Sequence, residues 1–333
     1  MKKRGSGISL VYYPVGMSGG GDTTQAIIKI KPDGGVDLYI GSCDLGQGIK
    51  TIAAQIVAEE LGISMDEVVI HNEDTDVAGI CTGSFASRVT YFAGNAIKRA
   101  AEDARKQMFE LATEDLGVEF DAMSVSDGKI FVTVNPEKFI KISDFANKIN
   151  FGLGKIIVGK GYFWKEPACY TDVDKGQINA INTLAYGASL ANVEVDTDTG
   201  EVRVLKMINV FDAGKAINPM GVLGQIDGGV MMGLSSTLME DLLPNYPNIE
   251  MQPKTLGEYI TPTSMDKPEL ISLIYENPST HGPYGAKGLG EMTNNTAAPA
   301  IVNAIHDAVG IWIDKIPVTP EKVLKALEEL GKN

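Results

Sequence analysis

Ala26, Ile28 and Ile30 alternate with polar neighbours, Pro32-Asp-Gly-Gly35 interrupts them, and Val36, Leu38 and Ile40 resume the alternation. A period of two broken by a Pro/Gly turn predicts a hairpin with one buried face over residues 24–40. After Gly41-Ser-Cys-Asp-Leu-Gly-Gln-Gly48 the period lengthens. Ile49, Ile52, Ala53, Ile56 and Val57 share one face of a predicted helix that Gly62 stops. Val68-Val-Ile70 reads as a short strand and Asn72-Glu-Asp-Thr-Asp76 as a polar loop after it. The small and hydroxyl residues of Cys81-Thr-Gly-Ser-Phe-Ala-Ser-Arg-Val-Thr90 lead into a long predicted helix ending near Gly117. Phe92, Ala96, Ala100, Met108 and Leu111 form its inner face, with Lys98, Arg99, Glu102 and Asp103 toward water.

Residues 118–168 read as short strands and one helix around 142–149. A second hairpin is predicted over 189–209, where Val193 and Val195, the turn Asp196-Thr-Asp-Thr-Gly200, and Val202 and Val204 follow in order. Gly224-Gln225 is expected to open a helix through Met231, Met232 and Leu234. Residues 242–280, with six prolines from Pro244 to Pro278, read as loop-rich. Thr319 as N-cap, Pro320 at the first helical position, Glu321 in the first turn and Gly331 as stop define a last helix. Hairpins and helices that do not alternate strictly predict an α+β fold, and 333 residues predict two or more subdomains of mixed sheets covered by helices, divided as 1–165 and 166–333.

Composition narrows the function. Apolar residues make up 44% and charged residues 22%, which suits a globular chain, and no apolar run approaches the ~20 residues of a spanning helix. A net charge of −14 argues against nucleic acid as a partner. Met1-Lys-Lys-Arg4 is basic, but Gly5, Gly7, Pro14 and Gly16 break any signal-peptide core, so a cytoplasmic location is expected. Cys43, Cys81 and Cys169 are far apart, as are His71, His281 and His306. No metal held by protein side chains is expected, and a metal would have to arrive inside a cofactor.

The candidate chemistry lies in His281-Gly-Pro-Tyr-Gly-Ala-Lys-Gly-Leu-Gly-Glu291, followed by Thr296-Ala-Ala-Pro299. Closely spaced glycines let the backbone approach something bulky and deliver one acid, Glu291, at the end of the turn. On residues alone, Glu291 is equally a first-turn carboxylate favoured by the helix dipole. Gly46-Gln47-Gly48 and Gly224-Gln225 are read as similar turns at helix mouths, and the first as a ready anion site with unspent N–H donors. Ser84, Ser87 and Thr90 are either caps or ligand contacts.

In order along the chain, Lys3-Arg-Gly5, Gly46-Gln-Gly48, Ala86-Ser-Arg88 before Gly94-Asn-Ala96, the hairpin Val193-Glu-Val-Asp196 to Gly200-Glu-Val202, Asn218-Pro219 with Gly224-Gln225, Gly290-Glu291 and Thr319-Pro-Glu321 resemble the molybdenum hydroxylase family of xanthine dehydrogenase and aldehyde oxidase. The resemblance is to the second half of its molybdopterin-binding region, with Glu291 in the second subdomain. It implies that Glu291 is the active-site base. It also implies that Gln47 and Gln225, with the backbone around Gly46, Gly48, Ala86, Ser87, Arg88, Val89 and Thr90, hydrogen-bond the pterin and its phosphate tail. Lys287, Gly288, Leu289 and Gly290 would bring the base beside the metal. The implied cofactor is molybdopterin with molybdenum, in the cytosine dinucleotide form, with a sulfido or selenido ligand. The implied reaction hydroxylates an electron-poor ring carbon of a nitrogen heterocycle, nicotinate favoured, with water as the oxygen source. Purines, aldehydes, carbon monoxide and aromatic acyl-CoA are the family's other substrates, and a non-catalytic cofactor-binding scaffold is the alternative class. A carboxylate base works best when burial raises its pKa, which Lys287 would oppose if it pointed inward. The chain begins about where the family's second half begins. A natural subunit boundary is therefore expected, with a larger molybdopterin subunit, an iron–sulfur subunit and an FAD subunit as partners and no membrane.

Overall fold

The computed structural model describes residues 1–17, 21–165, 169–172, 174–175, 177–179, 183–241 and 252–331, with backbone alone at 165, 169–172 and 177–179. In chain order come β1 (Lys2–Pro14), β2 (Asp22–Ile30), β3 (Val36–Ile40), α1 (Ile49–Leu61), β4 (Val68–His71), α2 (Val89–Leu116), β5 (Met123–Ser126), β6 (Lys129–Val132) and β7 (Asn135–Lys141). Then follow α3 (Ile142–Asn147), β8 (Val158–Lys165), β9 (Cys169–Asp172), β10 (Gln177–Asn179), β11 (Leu184–Asp196) and β12 (Val202–Asp212). The chain closes with α4 (Pro219–Leu238), β13 (Glu269–Tyr275), α5 (Met292–Asn295), α6 (Ala297–Val309) and α7 (Pro320–Leu330). Mixed sheets covered by helices make the fold α+β. Among the described residues no helix is long and apolar enough to cross a membrane.

The backbone divides into two compact units. One comprises Met1–Tyr13, Leu184–Asn277 and Leu289–Asn333, and the second comprises Pro14–Thr183 and Pro278–Gly288. This differs from a single cut between 165 and 166, because β1 pairs with β11, and 278–288 packs among the residues of the second unit.

In the second unit the sheet order is β4-β3-β2-β8. The register pairs Ala26 with Ile40, Ile28 with Leu38 and Ile30 with Val36, so the apolar alternation of both hairpin strands falls on one buried face. α2 lies on that face through small residues. A Cβ at Gly159 or Gly161 of β8 would stand 2.0 Å from the carbonyl oxygen of Ala100 or Ala96. Phe92 at one end of the contact is fully buried, worth about 2–3 kcal/mol. Further along α2, Ala112 is fully buried while Leu111 is half-buried. Lys98, Glu102 and Asp103 are also half-buried, whereas Arg99 is exposed as expected. Lys98 pairs with Glu60 and Glu102, and the Arg99 guanidinium lies 5.0 Å from the Phe163 ring centre.

In the first unit the order is β1-β11-β12-β13. β13 is the strand within the loop-rich stretch expected over 242–280: Glu269–Tyr275 runs parallel to β12, pairing Lys206 with Glu269 through Asp212 with Tyr275. Pro268 and Pro278 stand outside the strand, where a missing N–H breaks no ladder bond. The part of that expectation over 242–251, with Pro244 and Pro247, lies outside the described residues. α4 packs on α5 and α6 where glycines allow it, since a Cβ at Gly229 would stand 1.9 Å from Thr293 Oγ1.

Candidate functional site

In the second unit, β3 runs into the Gly41–Gly48 loop, and Gly46 and Gly48 adopt φ of 105° and 85°, which only glycine adopts without strain. Asp44, unsuspected from sequence, organises the turn. Its carboxylate accepts from the N–H groups of Gly46 at 2.9 Å, Lys50 at 3.2 Å and Gly48 at 3.4 Å. Burial pushes this carboxyl up, but the three backbone N–H groups and Lys50 together hold it below the ordinary range. The expectation of an anion site with unspent donors is therefore corrected, because the turn supplies its own anion. Gln47 is also turned inward. Its Oε1 accepts from Leu45 N, and its Nε2 donates to the Cys43 carbonyl at 2.9 Å.

The Cys81–Thr90 segment lies beside that loop. Ser84 Oγ donates to the Cys43 carbonyl at 3.0 Å, and Ser42 Oγ lies 3.1 Å from Cys81 Sγ. Ala86 and Ser87 both hold φ near +50° (49° and 50°), consecutive left-handed positions without glycine, which cost of order 1–3 kcal/mol each. Arg88 follows, fully buried, its Nε 2.5 Å from Asp22 Oδ1. Its other nitrogens donate to Gly83 O at 2.8 Å, Thr23 O at 2.9 Å, Thr24 Oγ1 at 2.7 Å and Cys81 Sγ at 3.1 Å. The Arg88 side chain is thus an internal clamp, and its backbone is engaged as well, its N–H donating to Phe85 O at 3.1 Å and its carbonyl accepting from Phe92 N at 2.8 Å. Burial raises the Cys81 thiol, yet Ser42, the Arg88 charge and Thr24 outweigh it and leave the thiol below its ordinary value. Val89 and Thr90 open α2.

Gly288 completes this cluster. A Cβ there would stand 1.6 Å from the Ser87 carbonyl oxygen, so the two backbones touch. The segment before it is anchored on α1 and α2. Asn95 Nδ2 donates to the His281 carbonyl at 2.9 Å, Pro283 sits where a Cβ on Gly94 would fall, and the Tyr284 hydroxyl donates to Glu60 Oε1 at 2.6 Å. Lys287 is buried. Stretches from the forties, the eighties and the 280s are therefore assembled within one unit.

The first unit holds the remaining predicted residues. Leu289 is buried, whereas Gly290 and Glu291 are exposed. Glu291 is the N-cap residue of α5, and the Tyr13 hydroxyl donates to its Oε2. Gln225 is half-buried in the second turn of α4, not at its mouth. The helix begins earlier because Asn218 caps it, accepting from Gly221 N at 3.1 Å, and Pro219 occupies the first helical position. In the second unit a Cβ at Gly46 or Gly48 would meet nothing within 4 Å, and in the first unit the same holds at Gly224 and Gly228. Of the residues that sequence reasoning passed over, Asp44 had a signal, an Asx residue two before Gly46. Asp22 and Tyr13 had none.

A family model for the molybdopterin cofactor-binding domain matches residues 1–268. The chain is 32% identical over 333 residues to the probable hypoxanthine oxidase XdhD of Escherichia coli, covering 98% of this chain and 32% of that protein. It is 32% identical over 315 residues to the gamma subunit of the 6-hydroxypseudooxynicotine dehydrogenase complex of Paenarthrobacter nicotinovorans, covering 92% and 38%. The crystal structure of quinoline 2-oxidoreductase from Pseudomonas putida 86 superposes with a TM-score of 0.84 at 28% identity, over 98% of this chain and 42% of that one. The chain spans about a third to two fifths of the length of the proteins it matches.

Proposed function

The chain belongs to the molybdenum hydroxylase family, and on that premise we propose that it forms one wall of a molybdopterin site in a multi-subunit hydroxylase, with Glu291 as the base. The observation that carries the reading is the backbone contact between Gly288 and the strained Ala86–Ser87 pair, tied to the Gly46–Gly48 loop through Ser84. The chain passes from Gly288 to Glu291 within three residues.

In this reading the pterin and its phosphate tail lie against the backbone around Gly46 and Gly48, where glycine leaves room although Asp44 holds the two N–H groups, and against the backbone of Ala86 to Thr90. Gln225 and Lys287 to Gly290 complete the contacts. Gln47 shapes the turn and offers the second hydrogen of its amide, the first being given to Cys43. The pterin is in the cytosine dinucleotide form, with a sulfido or selenido ligand on the metal. When bound, the molybdenum centre supplies the two-electron oxidation. Glu291 takes the proton from the water oxygen that ends on the substrate, and the Tyr13 hydroxyl fixes one of its carboxylate oxygens. The exposed Glu291 carboxylate needs further enclosure, which substrate and partner would provide.

Hypoxanthine and quinoline, named in two of the relatives, are nitrogen heterocycles, which favours that substrate class, with nicotinate as the leading member. The relative named as the gamma subunit of a complex favours assembly with other subunits. In this proposal they are a larger molybdopterin subunit, an iron–sulfur subunit and an FAD subunit, in the cytoplasm. The test is Glu291→Gln in the assembled enzyme. Turnover falls by more than the ~10²–10⁴ typical of general acid–base groups, with molybdenum content unchanged. Turnover within tenfold of wild type at full molybdenum content would sink the base assignment.

A further inference from the structure

The sheet β1-β11-β12-β13 has two unlike faces. On one, β1 turns Gly5 and Gly7 toward α6 so closely that a Cβ would stand 2.3 Å from Ala304 O or 2.2 Å from Ala304 N. Ser9 and Ser189 reach Thr296 from the same side, and Ser272 of β13 donates to Asp227 of α4 at 2.6 Å. Alternate residues point the other way. Ile8, Leu10 and Tyr12 of β1, Tyr186 of β11, and Leu273 and Tyr275 of β13 are between 49% and 78% exposed. Between them β12 continues the face with Ile208 and Val210.

A sheet face that meets water carries polar residues outward. Here the strand nearest the edge does the reverse, with its smallest residues on the covered side and its large apolar ones on the open side. Four strands ~4.8 Å apart and about seven residues long cover roughly 450 Å², already as large as the biggest apolar patch of a typical monomer. Charges sit at the end of the face and are paired, Lys2 and Arg4 with Glu194 and Lys206 with Glu269. An occupant must therefore be apolar and uncharged at its centre. Most of the length of each relative lies outside its match to this chain, and that length is the available occupant.

We infer that this open sheet face docks the polypeptide carrying the rest of the family's molybdopterin-binding region. The inference rests on the proposed function for the identity of the occupant, and on this sheet for its place. Leu10→Glu and Leu273→Glu put a charge where the isolated chain is already open, so its own melting is unchanged, whereas at a docked interface the charge is buried unpaired. The chain, tagged and purified from its native source, brings down a polypeptide whose sequence matches the part of the relatives outside their match to this chain. Each substitution weakens the association at least roughly a hundredfold. Val134→Glu, at an exposed apolar position of the second unit, leaves it intact.

Full assembly with the Leu10→Glu, Leu273→Glu double variant would overturn the inference, as would a wild-type chain isolated with no partner. A self-dimer dissociated by Leu10→Glu would overturn the named occupant. The two readings fail separately. Assembly lost in Leu10→Glu while Glu291→Gln keeps turnover refutes the base and leaves the docking face standing.

Discussion

The Gly46–Gly48 turn and the Gly288–Glu291 turn contain similar residues and use their acids in opposite ways. Asp44 bends back onto three N–H groups of its own turn, and Gln47 onto two neighbours. Glu291 stays exposed, and a hydroxyl from β1, that of Tyr13, reaches it. Their glycines differ too. Gly46 is required by its φ, with open space around it, whereas Gly288 is required by the Ser87 carbonyl in its way. A glycine-rich turn can thus close on its own charge or hold a charge outward, and spacing along the chain does not separate the two.

The contrast breaks most completely if its scaffold goes. Arg88→Met leaves Asp22 buried without its cation and costs about 3–5 kcal/mol, read as loss of hydrogen-exchange protection at the start of α2. Gly288→Ala forces two backbones apart, for about 3 kcal/mol or more. Gly46→Ala adds only left-handed strain of about 1–2 kcal/mol, and limited proteolysis of both variants ranks them. Tyr13→Phe removes the donor to Glu291 and lowers kcat roughly tenfold, about 1.4 kcal/mol, with KM and melting unchanged. Asp44→Asn has the smallest effect, about 1 kcal/mol. Because the Asp44 carboxyl is held below its ordinary value, its contribution is full above about pH 5. It is lost as pH falls through the depressed value, so denaturation curves of wild type and variant converge in acid.

Local pattern carried far in this chain. The hairpin of β2 and β3, α1 with Gly62, α2 with Gly117, and α7 from Thr319 follow from alternation, helical spacing and caps. β1 escaped because Gly5, Gly7 and Ser9 are its buried side, the inverse of the pattern that marks a strand. β13 was hidden by the prolines around it, and α4 starts at Asn218-Pro219, a stronger cap signal than Gly224-Gln225. The candidate residues were legible as motifs. That Ser84 reaches Cys43 and that Ser87 meets Gly288 was not, because such contacts depend on tertiary packing between distant stretches.

The most direct test of the central claim is the molybdenum and pterin content of the complex purified through this chain from its native source. The account predicts stoichiometric molybdenum with a cytosine-dinucleotide pterin, retained in Glu291→Gln and diminished in Gly46→Ala. A chain isolated with its partners but without molybdenum or pterin would contradict it.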